Sequence, residues 1–135
     1  MWITKDNIDR FINMDRTTMD CVDRGITKIE YIPEGITHLF CDRNRLTELP
    51  MLPDSLISLY CYNNNLTELP ILPDGLRSLE CSCNELTELS KMPESLEYLD
   101  CSFNNLPYEI TLDNFKEHNK FIKRKEILEK IRIYH

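Results

Sequence analysis

Six cysteines and three histidines are the side chains of this 135-residue chain best suited to metal, redox or nucleophilic chemistry. Their spacing argues against most of it. Cys21, Cys41, Cys61, Cys81 and Cys101 recur every twenty residues, which predicts an inward column in which each thiol packs as a small hydrophobe. Cys81-Ser82-Cys83 is not a C-x-x-C pair and no histidine stands at ligand spacing, so neither a disulfide framework nor a metal site is expected. Cys83 breaks the column, faces outward and is the one thiol expected to react. His38, His118 and His135 lack a nucleophile-and-acid constellation. Gly25, Gly35 and Gly75 are too scattered for a phosphate-binding loop. Neither an enzyme nor a bound cofactor is expected.

What positions the cysteines is an internal repeat. Residues 36–55, 56–75 and 76–95 nearly superimpose at a shift of twenty, and 96–111 is a truncated further copy. Such a period means stacked supersecondary units rather than one globular core. Within the unit, apolar residues hold the first and fourth places (Ile36 and Leu39, Leu56 and Leu59, Leu76 and Leu79, Leu96 and Leu99). Cysteine holds the sixth, asparagine the ninth (Asn44, Asn64, Asn84, Asn104), and leucine the eleventh. Alternation at places four and six predicts a short strand with stacked inward side chains. An asparagine carries both an acceptor and donors, so its column is expected to satisfy backbone groups left unpaired by a buried turn. The Leu-Pro pairs at 49–50, 52–53, 69–70 and 72–73 keep the return arm extended, because proline fixes φ and rejects helix.

The pattern LxxLxCxxNxLTELPxLPxx resembles the leucine-rich repeat family, specifically its short twenty-residue, Leu-Pro-containing class. That class is familiar from secreted bacterial effectors, and its cysteine-bearing form resembles repeat proteins of large DNA viruses of amoebae. The resemblance implies an α/β repeat solenoid with parallel strands on one face, extended return arms on the other and helical caps at both ends. It also implies a protein partner, and a host protein if the effector or viral likeness extends to function. A worn copy occupies 16–35, where Met19, Cys21, Ile26, Ile29, Ile32 and Pro33 fall on the expected places but Arg24 replaces asparagine.

One domain is expected, with an N-terminal cap at 1–15, repeats at 16–111 and a C-terminal helical cap at 112–135. A solenoid's first rung would otherwise expose its interior. Thr4 is placed to N-cap a helix over about 5–14, with Ile3 and Ile8 as a hydrophobic staple and Trp2 over the open end. Beyond Leu106-Pro107, Thr111 or Asp113 can cap a final helix reaching about Tyr134. Leu112, Phe115 and Ile122 lie on one of its faces and Phe121, Ile127, Leu128 and Ile131 on another, so a break near His118-Asn119 is one way to bury both.

The net charge of −7 argues against a general nucleic-acid binder. No signal-peptide h-region follows Met1, and no apolar run approaches the roughly 18 residues of a membrane span, so a soluble, intracellular chain is expected. The absence of alanine and glutamine and the wealth of Ile, Asn and Lys fit an AT-rich coding genome. Residues 112–135 carry a net +3, leaving −10 on the remainder.

Four or five rungs stacked at about 4.8 Å make a strip roughly 20–25 Å long. Its outward strand places are occupied as follows. The third carries Thr18, His38, Ser58, Ser78 and Tyr98, and the fifth Asp20, Phe40, Tyr60, Glu80 and Asp100. The seventh carries Val22, Asp42, Tyr62, Ser82 and Ser102, and the eighth Asp23, Arg43, Asn63, Cys83 and Phe103. Phe40, Tyr60 and Tyr62 are expected to be neighbours, and Tyr98 with Phe103 a second aromatic pair. Clustered outward aromatics are the usual anchors of protein interfaces. Asp20, Glu80 and Asp100 would steer a basic partner, with His38 beside them. Glu48, Glu68 and Glu88 line up on the opposite side as a solvated stripe. The function expected is non-enzymatic protein binding by the strand face, from a monomer or weakly self-associating chain. The alternative is a structural subunit that assembles through the C-terminal segment.

Overall fold

The computed structural model describes residues 1–134, with side chains through residue 133; His135, the end of the expected cap, lies outside the described residues. Its strands are β1 (Trp2–Ile3), β2 (Thr18–Asp20), β3 (Lys28–Ile29), β4 (His38–Phe40), β5 (Ser58–Tyr60), β6 (Ser78–Glu80) and β7 (Tyr98–Asp100). A 3₁₀ turn covers Ile8–Phe11, and one α-helix, α1, runs Phe115–Tyr134.

The twenty-residue period is the register of the sheet. Strands β2, β4, β5, β6 and β7 form one parallel sheet in that order. Met19, Leu39, Leu59, Leu79 and Leu99 are successive partners across it. The first-place, cysteine and eleventh-place columns fill the interior behind them, with Ile36, Leu39, Cys41 and Leu46 all at 0% exposure. No helix interrupts the return arms between β4 and β7. Each arm ends in a turn that restarts the rung, as where the Leu56 amide donates to Pro53 O at 3.1 Å.

The ninth-place asparagines fasten each rung to the one before it. Asn64 Nδ2 donates to Cys41 O at 3.0 Å and, in its own rung, to Cys61 O at 3.1 Å and Tyr62 O at 3.3 Å. Its Oδ1 accepts the Leu46 amide at 3.0 Å. Asn44 does the same for the worn copy, accepting the amides of Arg24 (3.0 Å) and Ile26 (2.9 Å) and donating to Cys21 O (2.9 Å). Because the bonds point backward, the first rung has no predecessor to fasten, and Arg24 sits exposed in place of an asparagine. The substitution leaves the rung's geometry intact.

The C-terminal helix forms as expected and reaches Tyr134, whereas the N-terminal cap and the entry to α1 differ from expectation. The N-terminal segment forms no α-helix over 5–14, only the 3₁₀ turn, whose N-cap position is Asn7; Thr4 Oγ1 accepts the Asp6 amide at 3.2 Å ahead of it. Asn7 folds back, its Oδ1 accepting the Thr4 amide at 2.8 Å and its Nδ2 donating to Trp2 O at 2.9 Å. The same loop closes the other end, where Asn114 Oδ1 accepts the Thr111 amide (2.8 Å) and Nδ2 donates to Glu109 O (2.8 Å). The two loops read Ile3-Thr4-Lys5-Asp6-Asn7 and Ile110-Thr111-Leu112-Asp113-Asn114, an I-T-x-D-N pair whose isoleucines are both buried. Asn114, rather than a Thr111 or Asp113 side chain, therefore organises the entry to α1. Trp2 does not cover the first rung; it is 54% exposed beneath Lys28 Nζ, 4.9 Å from the ring centroid. Ile3, Ile8 and Phe11 provide the buried apolar part of this cap.

The final helix is unbroken. His118 and Asn119 are its docking groups rather than a break. Asn119 takes the Met92 amide on Oδ1 and gives Nδ2 to Met92 O, both at 2.7 Å. His118 bridges Tyr108 Oη at 2.6 Å and Ser90 O at 3.0 Å. Phe115 is buried and Ile122 half-buried, whereas Leu112 is exposed, as are Phe121, Ile127, Leu128 and Ile131. The second apolar face is thus left in solvent. No helix among the described residues is long and apolar enough to cross a membrane.

Candidate partner-binding face

The strand face is built by the pleat. With place four committed inward, places three and five point away from the core, and place seven follows beyond the strand end. Phe40 and Tyr60 are register partners on β4 and β5, and their rings meet edge-on at 5.4 Å. His38 extends the group, 6.1 Å from the Phe40 ring, with Nδ1 held 2.8 Å from Thr37 Oγ1. Edge-to-face contact suits the ring quadrupoles, so this pair also stiffens the sheet.

The other expected aromatic contacts are arranged differently. Tyr62 is covered from the preceding rung, the Arg43 guanidinium lying 6.0 Å from the ring centroid. Tyr98 turns to Glu80 rather than to Phe103, its hydroxyl donating to Glu80 Oε2 at 3.2 Å. Burial and the Glu80 carboxylate both push the Tyr98 phenol up. Phe103 is 81% exposed, because the eighth place turns in the left-handed region rather than continuing the strand. Asp23, Arg43, Asn63, Cys83 and Phe103 all have φ between 54° and 58°. Phe103 instead borders an open groove of about 350 Å³ beside β7, lined also by Leu99, Leu106 and Tyr108.

The fifth-place acids have a local task. Asp20 Oδ1 accepts the Val22 amide (3.2 Å), Glu80 Oε1 that of Ser82 (3.1 Å) and Asp100 Oδ1 that of Ser102 (3.0 Å). Each carboxylate closes the strand-to-turn corner of its own rung while lending the face its negative charge.

Asp42 is the residue that sequence reasoning undervalued. Placed by pattern on the outward face, it is only 5% exposed, and its Oδ1 has no hydrogen-bond partner. Burial pushes its carboxyl up to about 6; Glu80 adds to this, the Tyr62 amide and Arg43 oppose it, and Asp20 adds further. The signal was present in the chain, since this rung carries Phe40 where Asp20, Glu80 and Asp100 stand in others. The acid has moved two places along to a more enclosed position.

The five columnar cysteines are buried free thiols, and Cys83 is exposed. Burial raises the thiols of Cys21 to about 12 and Cys101 to about 11. Cys41, Cys61 and Cys81 are also pushed up, burial again being the main cause. They are not purely apolar fillers: Cys41 Sγ donates to Tyr60 O at 3.5 Å and Cys101 Sγ to Ile110 O at 2.9 Å.

Comparison with known proteins agrees with this geometry. The sequence pattern of the Leucine Rich Repeat family matches residues 95–122. The chain superposes on YopM from Yersinia enterocolitica WA-314 with a TM-score of 0.72 and 31% identity, over 82% of this chain and 23% of that one. It superposes on the leucine-rich-repeat domain of a Shigella effector with a TM-score of 0.70 and 31% identity, over 75% of this chain and 46% of that one. The chain thus spans less than half the length of either. No curated protein matches it significantly.

Proposed function

We propose that this chain, a leucine-rich-repeat solenoid, is a non-enzymatic binding module whose strand face holds a protein partner. The observation that carries the reading is the cluster His38–Phe40–Tyr60, in which Phe40 meets Tyr60 edge to face across two rungs and His38 at a tilt. Half-buried aromatics on a rigid sheet offer large contact area at low entropic cost, as interface anchors do. Asp20, Glu80 and Asp100 border them with charge that favours a basic partner surface, and Tyr98 and Phe103 extend the face toward the last rung. The similarity to bacterial effector repeats supports a host protein as the partner.

Affinity capture comparing wild type with a Phe40→Arg/Tyr60→Arg double variant tests this. Circular dichroism must show the variant folded. A partner retained by wild type and lost by the folded variant supports the face; equal capture by both would overturn it.

Self-association through α1 is the second reading. From residue 123 to 133 every side chain is exposed, and Ile127, Leu128 and Ile131 form an uncovered apolar stripe. Sedimentation across a concentration series distinguishes the two. A monomer at high concentration removes the assembly reading.

A further inference from the structure

On the proposed binding face one buried carboxylate oxygen has no partner among the described residues of the chain. Asp42 is 5% exposed, and its Oδ1 has no hydrogen-bond partner. A buried carboxylate oxygen without a donor costs free energy unless a counter-charge completes it. Among the near groups Glu80 and Asp20 act against ionisation, while the Tyr62 amide and Arg43 favour it in part. The adjacent cation, Arg43, lies over the Tyr62 ring and makes no salt bridge among the described residues. The two ion pairs among the described residues, Arg16–Asp9 and Lys120–Glu117, are elsewhere.

We propose that Asp42 is the receptor for an arginine side chain of the protein partner, received between the carboxylate and the aromatic rings of Phe40, Tyr60 and Tyr62. The proposal rests on the strand face being the partner surface. Guanidinium suits both kinds of group: it is planar enough to stack on a ring and still presents N–H groups to a carboxylate. An ammonium would meet the charge but stack less well. A metal ion fits poorly, since no three His, Cys, Asp or Glu side chains among the described residues converge to hold one. Oδ1 lies out of solvent contact, so entry requires a side chain to move. Arg43 is exposed and already holds the Tyr62 ring, and the incoming guanidinium replaces it there.

The test uses the full ¹⁵N-labelled chain titrated with acetyl-Gly-Arg-Gly-amide, its neutral citrulline analogue and, separately, calcium chloride. Saturable shifts at the Asp42, Arg43 and Tyr62 amides with the arginine peptide alone are expected. Asp42→Asn, verified as folded by its melting curve, should weaken that binding about tenfold, the loss of one charge-assisted bond. Equal binding of the citrulline peptide, unchanged affinity in Asp42→Asn, or shifts confined to Glu48, Glu68 and Glu88 would each overturn the proposal. Saturation by calcium without a response to arginine would overturn it as well. If partner capture survives Asp42→Asn but is lost in Phe40→Arg/Tyr60→Arg, Asp42 falls and the face stands. If capture survives both, the face itself falls.

Discussion

Asn64 accepts the backbone amide of Leu46 at 3.0 Å across eighteen residues of sequence, and in doing so finishes the previous rung rather than its own. The consequence is directional. Every asparagine serves the unit before it, so the first unit manages without one and the last, Asn104, is only half-buried.

Asn64→Ala strands the buried Leu46 amide and frees the carbonyls of Cys41 and Cys61. A loss of about 3 kcal/mol in urea unfolding is expected, since an unmet buried group costs about 1–3 kcal/mol each. Asn104→Ala, at the open end where water can substitute, should cost under about half as much. Equal costs at both positions would contradict the backward-fastening arrangement.

The raised carboxyl of Asp42 makes stability depend on pH in a defined sense. Its folded value of about 6 lies above the ordinary 3.8, so the folded chain holds the proton more tightly. The group's contribution is full below the unfolded value and is lost as pH rises through the folded one. Asp42→Asn removes that loss. The variant's advantage over wild type should therefore grow between about pH 4 and pH 7, reaching at most about 3 kcal/mol. Urea midpoints at pH 4 and 7.5 measure it; a difference that does not change with pH refutes the assignment.

The left-handed eighth place penalises residues with ordinary side chains. Cys83 has φ 55° and is exposed, so Cys83→Asn relieves backbone strain without disturbing the core. A gain of about 0.5–1 kcal/mol is expected, because asparagine tolerates this region better than most residues. Thr87→Asn, a surface exchange outside that corner, provides the control and should be near neutral.

Thiol titration with a bulky disulfide reagent should label one cysteine of the six in the native chain, and Cys83→Asn should abolish it. The columnar thiols are held protonated by burial and lie behind the sheet. They should react only on unfolding. Rapid native labelling of Cys41 or Cys61 would mean that the rungs separate readily.

Docking of α1 rests on its first two turns. Asn119→Ala should cost about 2 kcal/mol, since it leaves both the amide and the carbonyl of Met92 unmet in a buried setting. Removing residues 124–135 should cost well under about 1 kcal/mol, because the side chains of residues 124–133 are exposed and contribute little. Similar losses in the two variants would place packing on the outer half of the helix.

The sequence by itself determined the solenoid, its register, the inward columns and the outward places, since a twenty-residue period leaves one way for like residues to stack. It also located Cys83 as the exposed thiol and Phe40 beside Tyr60. Its errors fall where the repeat ends or where contacts cross it. Helical periodicity at the N-terminus gave way to the Asn7 loop, whose partners are backbone groups that no spacing reveals. For the final helix a continuous and a broken form are both compatible with the sequence, which carries two apolar faces. The rungs offer surface for only one, and His118 and Asn119 fasten it through the backbone of Ser90 and Met92. Likewise, pattern placed Asp42 outward, and only the packed rungs enclose its carboxylate. Period fixes which side of the sheet a residue occupies; neighbouring rungs decide whether its polar atoms find partners there.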